Sequence, residues 1–90
     1  MAQNEGYRVL TTEGKAVGRV AGESEAAYVV ECGSWPRKSL RTLPRRFASV
    51  DAESGALVMQ VSKEIFRSSP KLSPGSPVDD QAVASWWGID

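Results

Sequence analysis

The sequence predicts an all-β domain, a small six-stranded closed β-barrel, followed by a short C-terminal α-helix on a Pro/Ser-rich linker. Three observations support this fold class. Six short β-branched or alternating segments lie in the first two-thirds of the chain, Gly-containing turns separate them, and a helical pattern follows. Ninety residues provide one core. Such short strands cannot build a two-layer sandwich, whereas a closed barrel leaves no exposed sheet edge.

The first half of the chain contains three strand segments. Residues 7–11 and 15–21 flank residues 12–14 (Thr-Glu-Gly), whose Gly supplies the positive φ that a three-residue hairpin needs. Gly18 lies inside the second segment, and an internal Gly indicates a bulge or a close approach of two backbones. Residues 26–31 are apolar on both faces, which is typical of a closed or covered sheet.

Three further segments complete the six strands. Residues 38–43 alternate and end at Pro44, which cannot donate to a strand ladder and therefore marks a strand end, an edge or a bend. Residues 46–50 and 56–61 flank a connector that begins with Asp51 and ends with Gly, a hairpin signal. The residues assigned to the core alone are Tyr7, Val29, Leu57, Met59 and Val61.

The C-terminal part of the chain changes character. Residues 6–67 form the predicted barrel domain, and residues 68–77 contain three prolines and four serines, which predicts an extended linker. Residues 78–90 are expected to form a short amphipathic aromatic helix. Asp79 is its expected N-cap, and Gly88 is expected just beyond its last turn.

Charge is unevenly distributed along the chain. The 11 basic and 11 acidic side chains cancel, yet residues 37–50 carry five Lys/Arg and no acid. Because the protein lacks the overall basic excess of most nucleic-acid-binding domains, this composition favours another class of partner. We expect no secretory signal in the first residues and no membrane insertion, since no apolar run reaches the roughly 18–20 residues that a spanning helix needs.

The content of cysteine and histidine argues against catalysis. Cys32 is the single cysteine, so an intrachain disulfide is impossible and a reducing, cytoplasmic location is expected. We expect its thiol to act as a small packed apolar group rather than as a reactive one. The chain has no histidine, which removes the usual general base and the commonest metal ligand. We therefore expect a protein that is not an enzyme, with no metal, cofactor or small-molecule substrate.

Three stretches of the chain resemble the PRC-barrel family. They are residues 9–20 (VLTTEGKAVGRV), 43–51 (LPRRFASVD) and 61–70 (VSKEIFRSSP), and the likeness covers about residues 6–72. The family is named for the cytoplasmic domain of the photosynthetic reaction-centre H subunit, and it includes the C-terminal domain of the ribosome maturation factor. The resemblance implies a small six-stranded barrel, here a free-standing one, that serves as an interaction or assembly module without catalytic residues.

The basic segment, residues 37–46, is one candidate site. It could contact an anion or RNA, its side chains could pair with acids of the same protein, or they could form a solvated strand face that protects an edge. Alternation scatters these side chains over more than one face, and no aromatic pair is interleaved for base stacking, so the solvated face is favoured. The candidate residues are Arg37, Lys38, Arg41, Arg45 and Arg46.

The second candidate site surrounds two adjacent tryptophans on the C-terminal helix. Left uncovered, they would expose a few hundred Å², about the size of patch that soluble monomers avoid. Three arrangements remain open: docking on the same barrel, on a second copy, or on another protein. A Trp-Pro pair at residues 35–36 either caps a barrel end or joins the interface. The candidate contact residues are Trp35, Val83, Trp86, Trp87 and Ile89.

Together these features predict a non-catalytic protein–protein interaction or assembly module that self-associates, with a homodimer as the expected form. The alternative is an RNA- or ribosome-associated assembly factor that uses the basic segment, residues 37–46.

Overall fold

The polypeptide forms one mainly antiparallel sheet with two short α-helices. The computed structural model describes residues 6–33, 38–69, 71–72 and 78–88. The strands are β1 (Arg8–Leu10), β2 (Ala16–Glu23), β3 (Ala27–Cys32), β4 (Ser39–Pro44), β5 (Ala48–Asp51), β6 (Ala56–Met59) and β7 (Lys71–Leu72). The helices are α1 (Lys63–Ser68) and α2 (Asp80–Trp87), and a 3-10 helix, Arg45–Phe47, connects β4 to β5.

The seven strands lie in the order β5-β6-β1-β2-β3-β4-β7. The consecutive pairs β1–β2, β2–β3, β3–β4 and β5–β6 are antiparallel. Strand β7 pairs antiparallel with β4, and β1 also pairs in parallel with β6. The N-terminal strand is thereby inserted between β2 and β6. This parallel pair joins the β5–β6 hairpin to the rest of the sheet.

The sheet is open, so the predicted closed barrel of six strands was wrong. All six predicted strand segments are present, and β7 adds a seventh strand at the edge of β4. Within the described residues β5 and β7 end the sheet and do not pair with each other, which leaves the cylinder unclosed. Strand β7 lies in residues 68–77, which the sequence predicts as a linker; residues 70 and 73–77 lie outside the described residues.

The two predicted Gly-containing hairpin turns are confirmed. Gly14 between β1 and β2 has φ +86°, and Gly55 between β5 and β6 has φ +65°, conformations that favour glycine. In the second turn the Asp51 carboxylate accepts a hydrogen bond from the Ser54 backbone N–H at 3.4 Å. Hydrogen bonds from Ser54 lower the pKa of Asp51, since they stabilise its charged form.

The hydrophobic core covers one face of the sheet. Val9 pairs with Leu57 across the parallel strands, and α1 places Phe66, which is 1% exposed, against the same cluster. Helix α1 begins where the Ser62 hydroxyl accepts the Ile65 N–H at 3.2 Å. The core cluster consists of Val9, Val20, Tyr28, Val30, Leu43, Leu57, Met59 and Phe66, with Tyr7 and Val61 packed against it.

Helix α2 packs against β4, beside side chains of the second face of the sheet. Ala27 and Val29 alternate with core residues and therefore point away from the core, yet they are only 0% and 8% exposed. Thr42, the cross-strand partner of Val29, lines a groove together with residues of α2. The burial of both faces of β3 therefore reflects a covered sheet. The radius of gyration, 11.9 Å, matches the value of about 12 Å expected when the helix packs back on its own chain.

Gly18 lies at a close approach of the β2 and β3 backbones. The register of β1 and β2 shifts by one residue between Val9 and Leu10, which leaves Val17 as the extra residue of a bulge. A Cβ atom on Gly18 would overlap the backbone carbonyl oxygen of Glu31 and lie 2.9 Å from Cγ1 of Val30. The bulge and the close backbone approach predicted at this glycine are both confirmed.

Replacing Gly18 with alanine is expected to lower the free energy of unfolding by about 2–3 kcal/mol, because a backbone carbonyl cannot move aside cheaply. Gly22→Ala is the matched control, since the nearest atom to its Cβ is Val29 Cβ at 3.9 Å. That control should change stability by less than about 1 kcal/mol. Urea unfolding of the two variants measures both values, and equal effects would contradict the close approach.

Candidate interaction site

Helix α2 is fixed to the sheet at its N-terminus. The Asp79 carboxylate caps the helix by accepting the N–H groups of Gln81 and Ala82 at 3.1 and 3.2 Å. The next residue, Asp80, accepts a hydrogen bond from the Ser24 hydroxyl at 2.6 Å. Ser24 belongs to the turn between β2 and β3, so this contact ties the helix to a distant part of the chain. The predicted N-cap is confirmed.

The C-terminal end of α2 is held by aromatic contacts. The ring centroids of Trp87 and Phe47 are 5.6 Å apart, and Trp87 packs against the hydrophobic core. Trp86 meets Trp87 edge-on, with centroids 4.9 Å apart and planes at 77°. Gly88 follows in the left-handed conformation with φ +70°, as its predicted place at the helix end requires.

A shallow groove of about 200 Å³ lies between α2 and the edge of the sheet. Val83 is 8% exposed and forms part of its floor, whereas Trp86 is 41% exposed. The remaining lining is largely apolar, with Asp79 and Lys71 supplying charge at the rim. The lining residues are Thr42, Lys71, Leu72, Asp79, Ala82, Val83, Trp86 and Trp87.

The structure brings together three of the five residues predicted for the aromatic contact site. Val83 and Trp87 pack on their own sheet, which is the first of the three predicted arrangements, and Trp86 remains partly uncovered beside them. Trp35 and Ile89 lie outside the described residues. The groove next to Trp86 is therefore the part of this site that remains open to a partner.

Arg45, one of the residues predicted for anion binding, instead fastens the β2–β3 turn. Its Nη2 donates to the Ser24 carbonyl at 2.8 Å and to the Glu23 carboxylate at 2.9 Å. Its Nη1 donates to the Tyr28 hydroxyl at 3.2 Å, and the guanidinium carbon lies 4.6 Å from the Tyr28 ring centroid. These contacts occupy most of the guanidinium, so Arg45 acts as a structural clamp.

The other residues of the basic segment do not converge on one site. Arg41 donates from Nη1 to the carbonyl oxygen of Ser69, just after α1. Lys38 forms an ion pair with Glu31 at 3.2 Å. Arg46 is exposed, and within the described residues its side chain has no hydrogen bond or ion pair. Arg37 lies outside the described residues.

A different group of basic residues does surround one concavity, of about 900 Å³. Five elements or their flanking loops contribute to it, so the sequence spacing alone gives no signal for it. Among these charged residues only Lys38 belongs to the basic segment, residues 37–46. The charged residues that line the concavity are Arg8, Arg19, Glu31, Lys38 and Arg67.

The described residues contain neither a metal-binding cluster nor a membrane-spanning helix. They contain no group of three or more His, Cys, Asp or Glu side chains arranged to hold a metal ion. None of their helices has the length and apolar character needed to cross a bilayer.

No protein-family model matches the chain, and no curated protein matches it in sequence. The resemblance to the PRC-barrel family therefore stays a prediction.

Arg45→Gln is expected to lower the free energy of unfolding by about 1–2 kcal/mol, because the Ser24 carbonyl and the Glu23 carboxylate lose a charged donor. Arg46→Gln removes the same charge one residue later, where the side chain is exposed, and should change stability by less than about 0.5 kcal/mol. Denaturant unfolding of the two variants separates the contribution of the Arg45 contacts from that of net charge. Equal losses would show that net charge rather than the clamp is responsible.

Burial raises the pKa of the Cys32 thiol above its ordinary value of 9.0, and the nearby Arg41 and Arg67 guanidinium groups offset part of this increase. Alkylation at mildly alkaline pH is expected to be slower for the folded protein than for the urea-unfolded chain. The folded state holds this proton more tightly, so its stability should decrease as the pH rises above the ordinary value. Equal alkylation rates in the two states would contradict a protected thiol.

Proposed function

We propose that this protein is a non-catalytic protein–protein interaction module that self-associates through the α2 groove. The single observation that carries the proposal is Trp86, which is 41% exposed at the rim of an apolar groove. Tryptophan is among the residues most often responsible for binding energy at protein interfaces. A second copy of the chain offers a surface of the same shape and chemistry, as a two-fold dimer requires.

The energetics of this contact favour a weak dimer. The exposed part of Trp86 amounts to roughly 100 Å², whose burial is worth about 2–3 kcal/mol per chain. Helix α2 has eight residues and is therefore about 12 Å long, too short for a standard interface of about 800 Å² per partner. We expect a dissociation constant roughly between tens of micromolar and millimolar.

The rim charges fit the same arrangement. Lys71 and Asp79 both line the groove and carry opposite charges. When two copies meet across a two-fold axis, Lys71 of each copy can face Asp79 of the other, so the pairing is complementary without a net charge. The interface is then polar at its rim and apolar at its centre, as in most protein interfaces.

The alternative function, RNA or ribosome binding through residues 37–46, has less support. Lys38, Arg41 and Arg45 of this segment are engaged with acceptors of their own chain. Breaking those contacts to bind phosphate would cost stability. A cytoplasmic location belongs to the proposal as well, because a lone cysteine suits a reducing compartment.

Sedimentation or light scattering over a concentration series is expected to show a species of twice the 9.7 kDa chain mass. Trp86→Lys should shift the protein to monomer, raising the dissociation constant at least about tenfold. Ile65→Lys is the matched control, since Ile65 is a similarly exposed residue, at 50%, on α1 away from the groove. A monomer at every concentration, or an equal effect of both variants, would contradict the proposal.

A further inference from the structure

A basic concavity lies beside the paired strands β1 and β2, and it shares no lining residue with the α2 groove. Arg8 lies on β1, Arg19 on β2, Lys38 just before β4, and Arg67 in the last turn of α1. Glu31 is the single acidic side chain among the described lining residues, so the side chains around the concavity sum to a charge of about +3 at neutral pH. The whole chain, in contrast, has a net charge of zero.

Two of these charges are held next to each other by the sheet itself. Arg8 and Arg19 are direct cross-strand partners in the β1–β2 ladder. Side chains in such positions have Cβ atoms about 5 Å apart, and like charges there destabilise the pair. Both residues are exposed, and within the described residues neither side chain has a hydrogen bond or an ion pair. The fold thus maintains an uncompensated pair of guanidinium groups.

The nearby carboxylate does not neutralise this pair. Glu31 is the cross-strand partner of Arg19 on β3, yet its carboxylate lies 3.2 Å from Nζ of Lys38. Its charge is therefore largely matched by the lysine, while Arg8, Arg19 and Arg67 keep theirs. Three guanidinium groups from separate elements then face one space, each able to bind an oxyanion through paired N–H donors.

We propose that the concavity lined by Arg8, Arg19 and Arg67 binds a compact, multiply charged phosphate group, as found in inorganic polyphosphate or a nucleoside triphosphate. Each guanidinium can form a two-point contact with an oxyanion, and three such charges around one space favour a multiply charged phosphate over a single carboxylate. The described lining contains no aromatic side chain for base stacking. Recognition therefore depends on the phosphate charge and not on an attached base. This site is separate from the α2 groove, and its binding does not depend on self-association.

The test is titration of the protein with inorganic tripolyphosphate, followed by calorimetry or NMR, at about 10 mM ionic strength, where charges act over about 30 Å. Saturable binding is expected, together with an increase in the melting temperature. Arg19→Gln should weaken the affinity about tenfold, since it removes one two-point contact. Arg46→Gln is the matched control because it removes the same charge from an exposed residue outside the concavity, and it should leave the affinity within about twofold.

The source of the phosphate is distinguished by a parallel titration with adenosine triphosphate. Affinities for the two ligands within about threefold support recognition of the phosphate chain alone, as expected when the described lining residues offer no stacking surface. Three outcomes would overturn the proposal: no binding at low ionic strength, equal weakening by Arg19→Gln and Arg46→Gln, or tight binding of single-stranded RNA that Arg19→Gln leaves unchanged. Trp86→Lys should bind tripolyphosphate like the unmodified protein, which separates this site from the dimer contact.

Discussion

The absence of a Cβ atom on Gly18 allows β2 to lie close to the backbone of Glu31 on β3, in the middle of the sheet. Strand β2 is the fourth of seven strands, so it joins the half that contains β1, β5 and β6 to the half that contains β3, β4 and β7. The adjacent bulge at Val17 places Val9 opposite Gly18 and thereby sets which side chains face the core. Side chains alternate along each strand, so the residues that do not face the core lie on the second face of the sheet. The same register therefore determines which side chains are available to α2.

Local signals in the sequence were sufficient for six of the seven strands, the two Gly-containing hairpin turns and the caps of α2. Gly14, Gly55 and Gly88 all adopt the positive φ values that their turn or cap positions predict, and Asp79 caps α2 as expected. The closure of the sheet was not predictable in the same way, because it depends on which strands meet at the two edges. Strand β7 has two residues and no periodic pattern, so composition alone favours a linker at that position.

The candidate sites, too, have a part that local sequence signals predict and a part that depends on contacts between distant residues. The three described aromatic-site residues follow helical spacing, so their convergence on one groove could be predicted from the sequence. The basic segment was harder to interpret, because the sequence shows that Arg45 is charged but not that the Ser24 carbonyl lies beside it. The pairing of Arg8 with Arg19 requires the bulge at Val17, since without that extra residue Arg8 would lie opposite Gly18. A one-residue change in register therefore decides which arginines become neighbours.

The parallel pairing of β1 with β6 has a consequence for the order of folding on the ribosome. Strand β1 is synthesised first and can form a hairpin with β2 early, but its other edge has to wait for Ala56–Met59. Phe66, which completes the core, follows still later in the chain. The interior can therefore be sealed only after residues 56–66 have left the exit tunnel. Until then the nascent chain exposes an unpaired strand edge that is prone to aggregation, the condition that chaperones relieve.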